Sequence, residues 1–146
     1  MLLDQIKQKL LETYTKDDSK WLFFSAFDEK NNLLVSNGVL QTNKNIIELS
    51  EILYHAFLEK IPNIKYCVID VVIEVQPQTD MAKLLTLSPK ERGFFVTNKE
   101  TNTNGVLLPD TKGIEEIKAA IGLIKQKYNV AGNAEIFSFK TRRIVI

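Results

Sequence analysis

The chain lacks the residues from which several common kinds of site are built. It has one cysteine, Cys67, so no disulfide can form within it. A lone thiol is typical of proteins of the reducing cytosol, and we expect a cytoplasmic location. One cysteine and one histidine, His55, cannot supply the usual ligands of a zinc site. The sequence therefore predicts no metal centre and excludes a zinc-dependent base deaminase.

Motifs that bind phosphate or present a nucleophile are also absent. The sequence contains no Gly-x-Gly-x-x-Gly, no Gly-x-x-x-x-Gly-Lys and no Gly-x-Ser-x-Gly stretch. We therefore expect no cofactor, and the sequence leaves open whether the chain is an enzyme.

Neither sign of charge is in excess. The chain has 19 basic and 18 acidic residues, a formal net charge of +1, which disfavours nucleic acid as a partner without excluding it. The sequence contains no window of about 18 apolar residues, the length that a membrane-spanning helix needs, so we expect no membrane partner. The first 15 residues carry four charged side chains and place their apolar residues at helical spacing, unlike a signal-peptide core.

What is present indicates one globular domain. Apolar residues make up 45% of the 146 residues and charged residues 25%, as in ordinary folded proteins. We predict a single domain over residues 1–146, with a helix and a polar break in 1–19 and the main body in 20–146.

The periodicity of apolar residues predicts both helices and strands. Helices are predicted over 2–14, 44–60 and 114–128, with a short helical turn in 81–87 and Thr42 or Asn43 capping the second helix. Strands are predicted over 21–27, 33–40, 66–75, 93–97, 105–109, 134–139 and 143–146. Gly38 marks a bulge or a strand end. This order of elements predicts an α+β fold with a mainly antiparallel sheet and helices packed on it.

Four sites carry both a structural and a functional interpretation. His55 lies on a solvated helix face, or is a general base oriented by Glu51 or Glu59. Cys67 lies on the apolar face of its strand as a buried thiol, or is a nucleophile. Asp70 interrupts an apolar strand, where it is solvent-facing, paired or placed in a cleft. The basic cluster Lys140, Arg142 and Arg143 protects an edge strand or contacts an anion or RNA.

The second half of the chain resembles the AMMECR domain family. The resemblance lies in Gly105-Val106-Leu107-Leu108-Pro109, then a helix with Lys125 near its end, then Glu135-Ile136-Phe137-Ser138-Phe139. The first half follows the family's order of elements. Its matching segments are Trp21 to Phe27, Leu33-Leu34, Ile46 to Leu58, Ile69 to Gln76 and Gly93 to Val96. The match covers roughly residues 20–146 and implies a compact, two-lobed α+β domain with a cleft near the signature strand.

The chain departs from this family at its hallmark, Leu-Arg-Gly-Cys-Ile-Gly. The corresponding stretch reads Leu34-Val35-Ser36-Asn37-Gly38-Val39, without arginine or cysteine. Any chemistry carried by the hallmark thiol is therefore lost here. The resemblance implies a role beside radical-SAM and Memo-type proteins, in the modification of RNA or another substrate.

Two functions of different classes follow. In the first, the chain is a binding or accessory domain that holds a protein segment or small molecule in a cleft near residues 34–39, formed by Ser36, Asn37 and Gly38 with Thr97 as a further ligand-binding residue. In the second, it is a metal-free enzyme in which Ser36, Asn37 and Thr97 give hydrogen bonds and Asp70 is the base. An RNA-binding accessory protein is a third interpretation. The sequence does not set the oligomeric state, and we favour the first function.

Overall fold

The computed structural model describes residues 1–39, 43–111, 113–132 and 134–146. Its contacts divide the chain into two compact units. The first unit comprises Met1–Val72 with Arg142–Ile146, and the second comprises Ile73–Thr141. The sequence-based prediction of one domain over 1–146 stays a prediction.

The first unit is a sheet with helices on one face. Its elements are α1 (Leu2–Leu11), β1 (Leu22–Phe27), β2 (Leu33–Val39), α2 (Ile46–Leu53), a π-helical turn (Tyr54–Leu58), the first part of β3 (Tyr66–Pro77) and the end of β6 (Glu135–Val145). The strands follow the order β2-β1-β3-β6, and β1 is antiparallel to both β2 and β3. Alternate residues of β1 and β3 pack against both helices. The core side chains include Ile6, Leu10, Phe24, Leu49, Leu53 and Ile69.

The second unit also consists of antiparallel strands with a helix packed on them, and it has its own hydrophobic core. It contains the rest of β3 and β6, with α3 (Met81–Leu84), β4 (Gly93–Asn98), β5 (Thr103–Leu107) and α4 (Ile117–Lys127). Its strands follow the order β3-β6-β4-β5, and β4 is antiparallel to β5 and β6. Phe94 and Val96 of β4 pack against Ala120 and Ile124 of α4.

This architecture confirms the predicted α+β class with a mainly antiparallel sheet, and it corrects several details. The two strands predicted over 134–139 and 143–146 form one strand, β6, because its backbone stays extended through the basic cluster. The strand β3 extends to Pro77, two residues beyond the predicted end at Val75. Gly38 lies opposite Phe23 in regular register, and the bulge lies instead where Ala26 pairs with Val35 and Phe27 with Leu33.

The cap of α2 is also corrected. Asn45 takes the N-cap position, where its side chain accepts hydrogen bonds from the backbone N–H groups of Ile47 and Glu48 at 3.1 and 2.9 Å. These are two of the N–H groups that a helix leaves without an intrahelical partner. Thr42 lies outside the described residues, and Asn43 is exposed and precedes the helix.

Three strand glycines leave room for aromatic rings. A Cβ on Gly38 would clash with the carbonyl oxygen of Leu22 and with the Phe23 ring, and one on Gly93 would clash with the Phe139 ring. A Cβ on Gly105 would clash with the Tyr128 ring. Aromatic side chains lying over strand glycines bury backbone that would otherwise face solvent. Packing of the neighbouring aromatic rings therefore requires glycine at these three positions.

In the described ranges, none of the helices combines the length and the hydropathy that a membrane span requires.

The cap assignment predicts a difference between two neighbouring asparagines. Replacing Asn45 with alanine removes both side-chain acceptors, so we expect Asn45→Ala to lower the free energy of unfolding by about 1 kcal/mol. The matched control Asn43→Ala should change it by less than about 0.5 kcal/mol. Urea unfolding followed by circular dichroism measures both values, and equal losses would contradict the assignment.

Candidate functional site

One row of residues crosses all four strands of the first unit. Gly38 of β2 lies opposite Phe23 of β1, and Phe23 lies opposite Asp70 of β3. Reciprocal backbone hydrogen bonds join Cys67 and Ile146, and this register places Arg143 of β6 opposite Asp70. Directly opposed residues share a face of the sheet, so the four positions lie side by side on the face opposite the helices.

The centre of this row is a buried ion pair. The side chain of Asp70 is 1% exposed and that of Arg143 is 44% exposed. Nε of Arg143 donates to Oδ1 of Asp70 at 3.0 Å, and Nη2 donates to Oδ2 at 3.4 Å. A planar guanidinium matches a carboxylate in this two-pronged arrangement. The paired interpretation of Asp70 is therefore confirmed, and the solvent-facing interpretation is wrong.

This geometry decides what Asp70 can do chemically. A general base needs an oxygen within reach of a substrate proton. Here both carboxylate oxygens accept from the guanidinium, and the carboxylate is out of solvent. The pair instead joins β3 to β6, whose residues 70 and 143 are distant in the chain. The arrangement favours a structural carboxylate over a catalytic one.

The three predicted ligand-binding residues of β2 do not share a face. Ser36 and Gly38 lie on the face of Asp70, whereas Asn37 alternates to the other face, opposite Phe24. Oγ of Ser36 lies 3.1 Å from Oγ of the buried Ser25. Oδ1 of Asn37 accepts a hydrogen bond from the backbone N–H of Gly38 at 2.9 Å.

Thr97 belongs to the second unit. It lies on β4, half-buried, with Asn104 of β5 on one side and Glu135 of β6 on the other.

The strand β2 is an edge whose main chain is accessible. Among the described residues it pairs with β1 alone. The N–H of Val72 donates to the carbonyl of Trp21, so Phe23 and Ser25, which follow at every second position, also direct their main-chain groups towards β3.

The residues between them, such as Phe24, direct their main-chain groups towards β2 and pair there with residues such as Asn37. The N–H and C=O groups of Ser36 and Gly38 therefore point away from β1.

Four residues of β2, Leu33, Leu34, Ser36 and Asn37, are exposed, and none of them is charged. Leu33 is 57% and Leu34 is 36% exposed, and Ser36 and Asn37 are exposed as well. The edge strand of the second unit, β5, has only one exposed residue, Asn104. An exposed apolar edge is a ready template for pairing with another chain. This edge, Leu33–Val39, includes residues 34–39, near which a cleft is predicted from the sequence, and that cleft stays a prediction.

The remaining candidate residues, His55, Cys67 and Lys140, lie in surroundings that are typical of residues without a catalytic role. Nδ1 of His55 lies 3.1 Å from Oε2 of Glu59, and both side chains are about half exposed, as the solvated-face interpretation expects. Burial raises the pKa of the Cys67 thiol from 9.0 to about 11, which favours the buried-thiol interpretation over a nucleophile. Nζ of Lys140 lies 3.6 Å from Oε2 of Glu74. The predicted basic cluster thus has carboxylate partners for two of its three members.

Two further features bear on ligands. Within the described ranges, no group of three or more His, Cys, Asp or Glu side chains is placed to hold a metal ion. The second unit has a shallow cleft of about 480 Å³. Its lining residues are Leu85, Leu87, Ser88, Pro89, Glu115, Glu116, Ile117 and Lys118. No sequence pattern indicated this cleft, because its residues come from a connection and a helix start that are far apart in the chain.

The ion pair predicts a non-additive pair of substitutions. Arg143→Met leaves a buried carboxylate without its guanidinium, so we expect a loss of about 3 kcal/mol in the free energy of unfolding. Asp70→Asn leaves only a neutral amide, and we expect a loss of about 1–2 kcal/mol. The double variant should lose less than the sum. Urea unfolding of all four proteins measures the coupling, and additive losses would show that the contact contributes nothing.

The buried thiol predicts a specific sensitivity to alkali. Because the pKa of Cys67 is raised on folding, its contribution to stability is complete below pH 9 and is lost as the pH rises towards 11. The free energy of unfolding should fall by up to about 2 kcal/mol across that interval from this group. Cys67→Ala should show a correspondingly shallower decline in the same pH series. Identical pH profiles for the two proteins would contradict the assignment.

The fold is shared with a solved structure. The chain is similar to the crystal structure of the uncharacterized protein PH0010 from Pyrococcus horikoshii, with a TM-score of 0.73 over 99% of this chain and 87% of that chain. By sequence, the chain matches no family profile and no curated protein. The identity to the Pyrococcus horikoshii protein is 12%, so this likeness establishes a common α+β fold and nothing about activity.

Proposed function

We propose that this chain is a binding or accessory domain, a divergent member of the AMMECR family, that holds a partner at the strand β2. The exposed edge Leu33–Val39 carries this proposal. It combines main-chain groups that have no neighbouring strand in the described part of the chain with two exposed leucines. These are the two requirements for binding an extended segment, namely hydrogen-bonding groups and apolar contact area.

The contacts of Asp70 support a binding role over a catalytic one. The metal-free enzyme needs this carboxylate as its base, but the carboxylate is buried and bound through both oxygens to Arg143. Ser36 is likewise engaged with Ser25. The carboxylate of Asp70 and the hydroxyl of Ser36, which the enzyme hypothesis requires, thus have partners within the protein.

The charges also disfavour RNA as the partner. An RNA site needs basic side chains that are available to phosphates. Lys140 and Arg143 each lie beside a carboxylate of β3, and the net charge of the chain is +1.

The proposal is tested by finding where ligands bind. We would select a phage-displayed library of random linear peptides, and separately screen a library of small-molecule fragments, against the whole chain. Binders would then be added to the ¹⁵N-labelled protein. We expect the largest amide shift changes in residues 33–38, since these form the exposed edge.

Two leucines of nearly equal exposure provide the control. Leu34 is 36% exposed on β2, and Leu123 is 37% exposed on α4. Leu34→Glu should weaken binding by about tenfold or more, the equivalent of about 1.4 kcal/mol. Leu123→Glu should leave it unchanged. Binders that change amide chemical shifts only in the second unit would overturn the proposal. Equal losses of affinity in the two variants would overturn it as well.

A further inference from the structure

The edge β2 also indicates the kind of partner and how it binds. We propose that the partner is an uncharged, apolar, extended segment of another protein, which adds to the sheet as a strand centred on Ser36. This inference rests on the proposed function and deepens it. It concerns the hydrogen bonds of the main chain, which side-chain contact alone would not require.

The main chain of β2 offers a short central site. The N–H and C=O of Ser36 and the C=O of Gly38 point away from β1. The N–H of Gly38 is already donated to Oδ1 of Asn37. At the other end, Leu34 is the extra residue of the bulge, because Val35 pairs with Ala26 and Leu33 with Phe27. A partner strand therefore pairs fully at Ser36 and partly beside it.

The side chains of β2 define the chemistry of the partner. No residue from Leu33 to Val39 carries a charge, and Leu33 and Leu34 expose apolar surface beside the open main chain. A charged segment would lose hydration here without gaining an opposite charge. A neutral segment with apolar side chains covers the leucines and keeps its hydrogen bonds.

A second copy of this chain fits the same edge poorly. Two antiparallel copies of β2 centred on Ser36 would place Gly38 of each copy opposite Leu34 of the other. The N–H of Gly38 is occupied by Asn37, and Leu34 lies in the bulge. Such a pair keeps only the hydrogen bonds between the two serines, far less contact than a stable dimer needs.

Amide hydrogen exchange tests the mode of binding directly. With a peptide selected on the intact protein, the Ser36 amide should exchange more slowly by a factor on the order of ten or more. The amide of Asn37 bonds to β1 and should change little. Ser36→Pro removes the outward N–H while leaving the ladder to β1, and it should weaken binding by about tenfold or more. The control variant Leu123→Glu, whose substitution lies on α4 outside the proposed site, should bind the peptide normally.

Changes in the peptide keep the test decisive if Ser36→Pro does not fold. N-methylation of successive peptide amides should weaken binding at every second position, because only alternate amides of a strand face the neighbouring strand. Ligands could change the amide shifts of residues 33–38 without slowing exchange at the Ser36 amide and without an effect of N-methylation at every second position. That result would overturn strand addition but not the proposed function. A dimer that Ser36→Pro dissociates in sedimentation would identify a second copy as the occupant and overturn the inference. If no ligand shifts residues 33–38, the proposed function itself fails.

Discussion

The organisation of the first unit depends on one buried carboxylate. Asp70 lies in a strand whose residues from Cys67 to Val72 are buried on both faces, where an unpaired charge would be very costly. Arg143 removes most of that cost by placing its guanidinium over the carboxylate from the adjacent strand. The pair also disfavours any other register between β3 and β6, because a shift of one residue would leave Asp70 buried without its cation. The same contact makes Asp70 a poor candidate for a base.

The face that holds this ion pair is organised by packing as well as by charge. Phe23 lies between Gly38 and Asp70 in the same row, and its ring occupies the space that a side chain at Gly38 would need. The polar residues of β2 are accordingly turned towards their own strand or towards β1. What the edge exposes is outward-facing main chain, two leucines, and the uncharged side chains of Ser36 and Asn37. This combination explains why a binding role follows more readily from the geometry than a catalytic one.

Much of the secondary structure could be predicted from the sequence, since helix and strand periodicity is a local property. Residues 2–11 form a helix because Ile6 and Leu10 recur on one face, and residues 66–75 lie within one strand, as predicted. The cap of α2 was misassigned because several polar residues precede the helix and only the backbone geometry selects Asn45. The break expected before Arg143 does not occur, since basic side chains do not interrupt a strand whose partner supplies carboxylates.

The candidate site shows where sequence reasoning stops. The α+β class, the apolar faces, the lack of zinc and phosphate-binding motifs and the unusual position of a charge at Asp70 are all evident from the order of the amino acids. Three features follow from the three-dimensional structure alone: Arg143, 73 residues away, is the partner of Asp70; Asn37 alternates away from Ser36 and Gly38; and β2 pairs with β1 alone among the described residues. The reason is physical. Periodicity depends on neighbours in the chain, whereas strand order and register depend on hydrogen bonds and side-chain packing between distant segments.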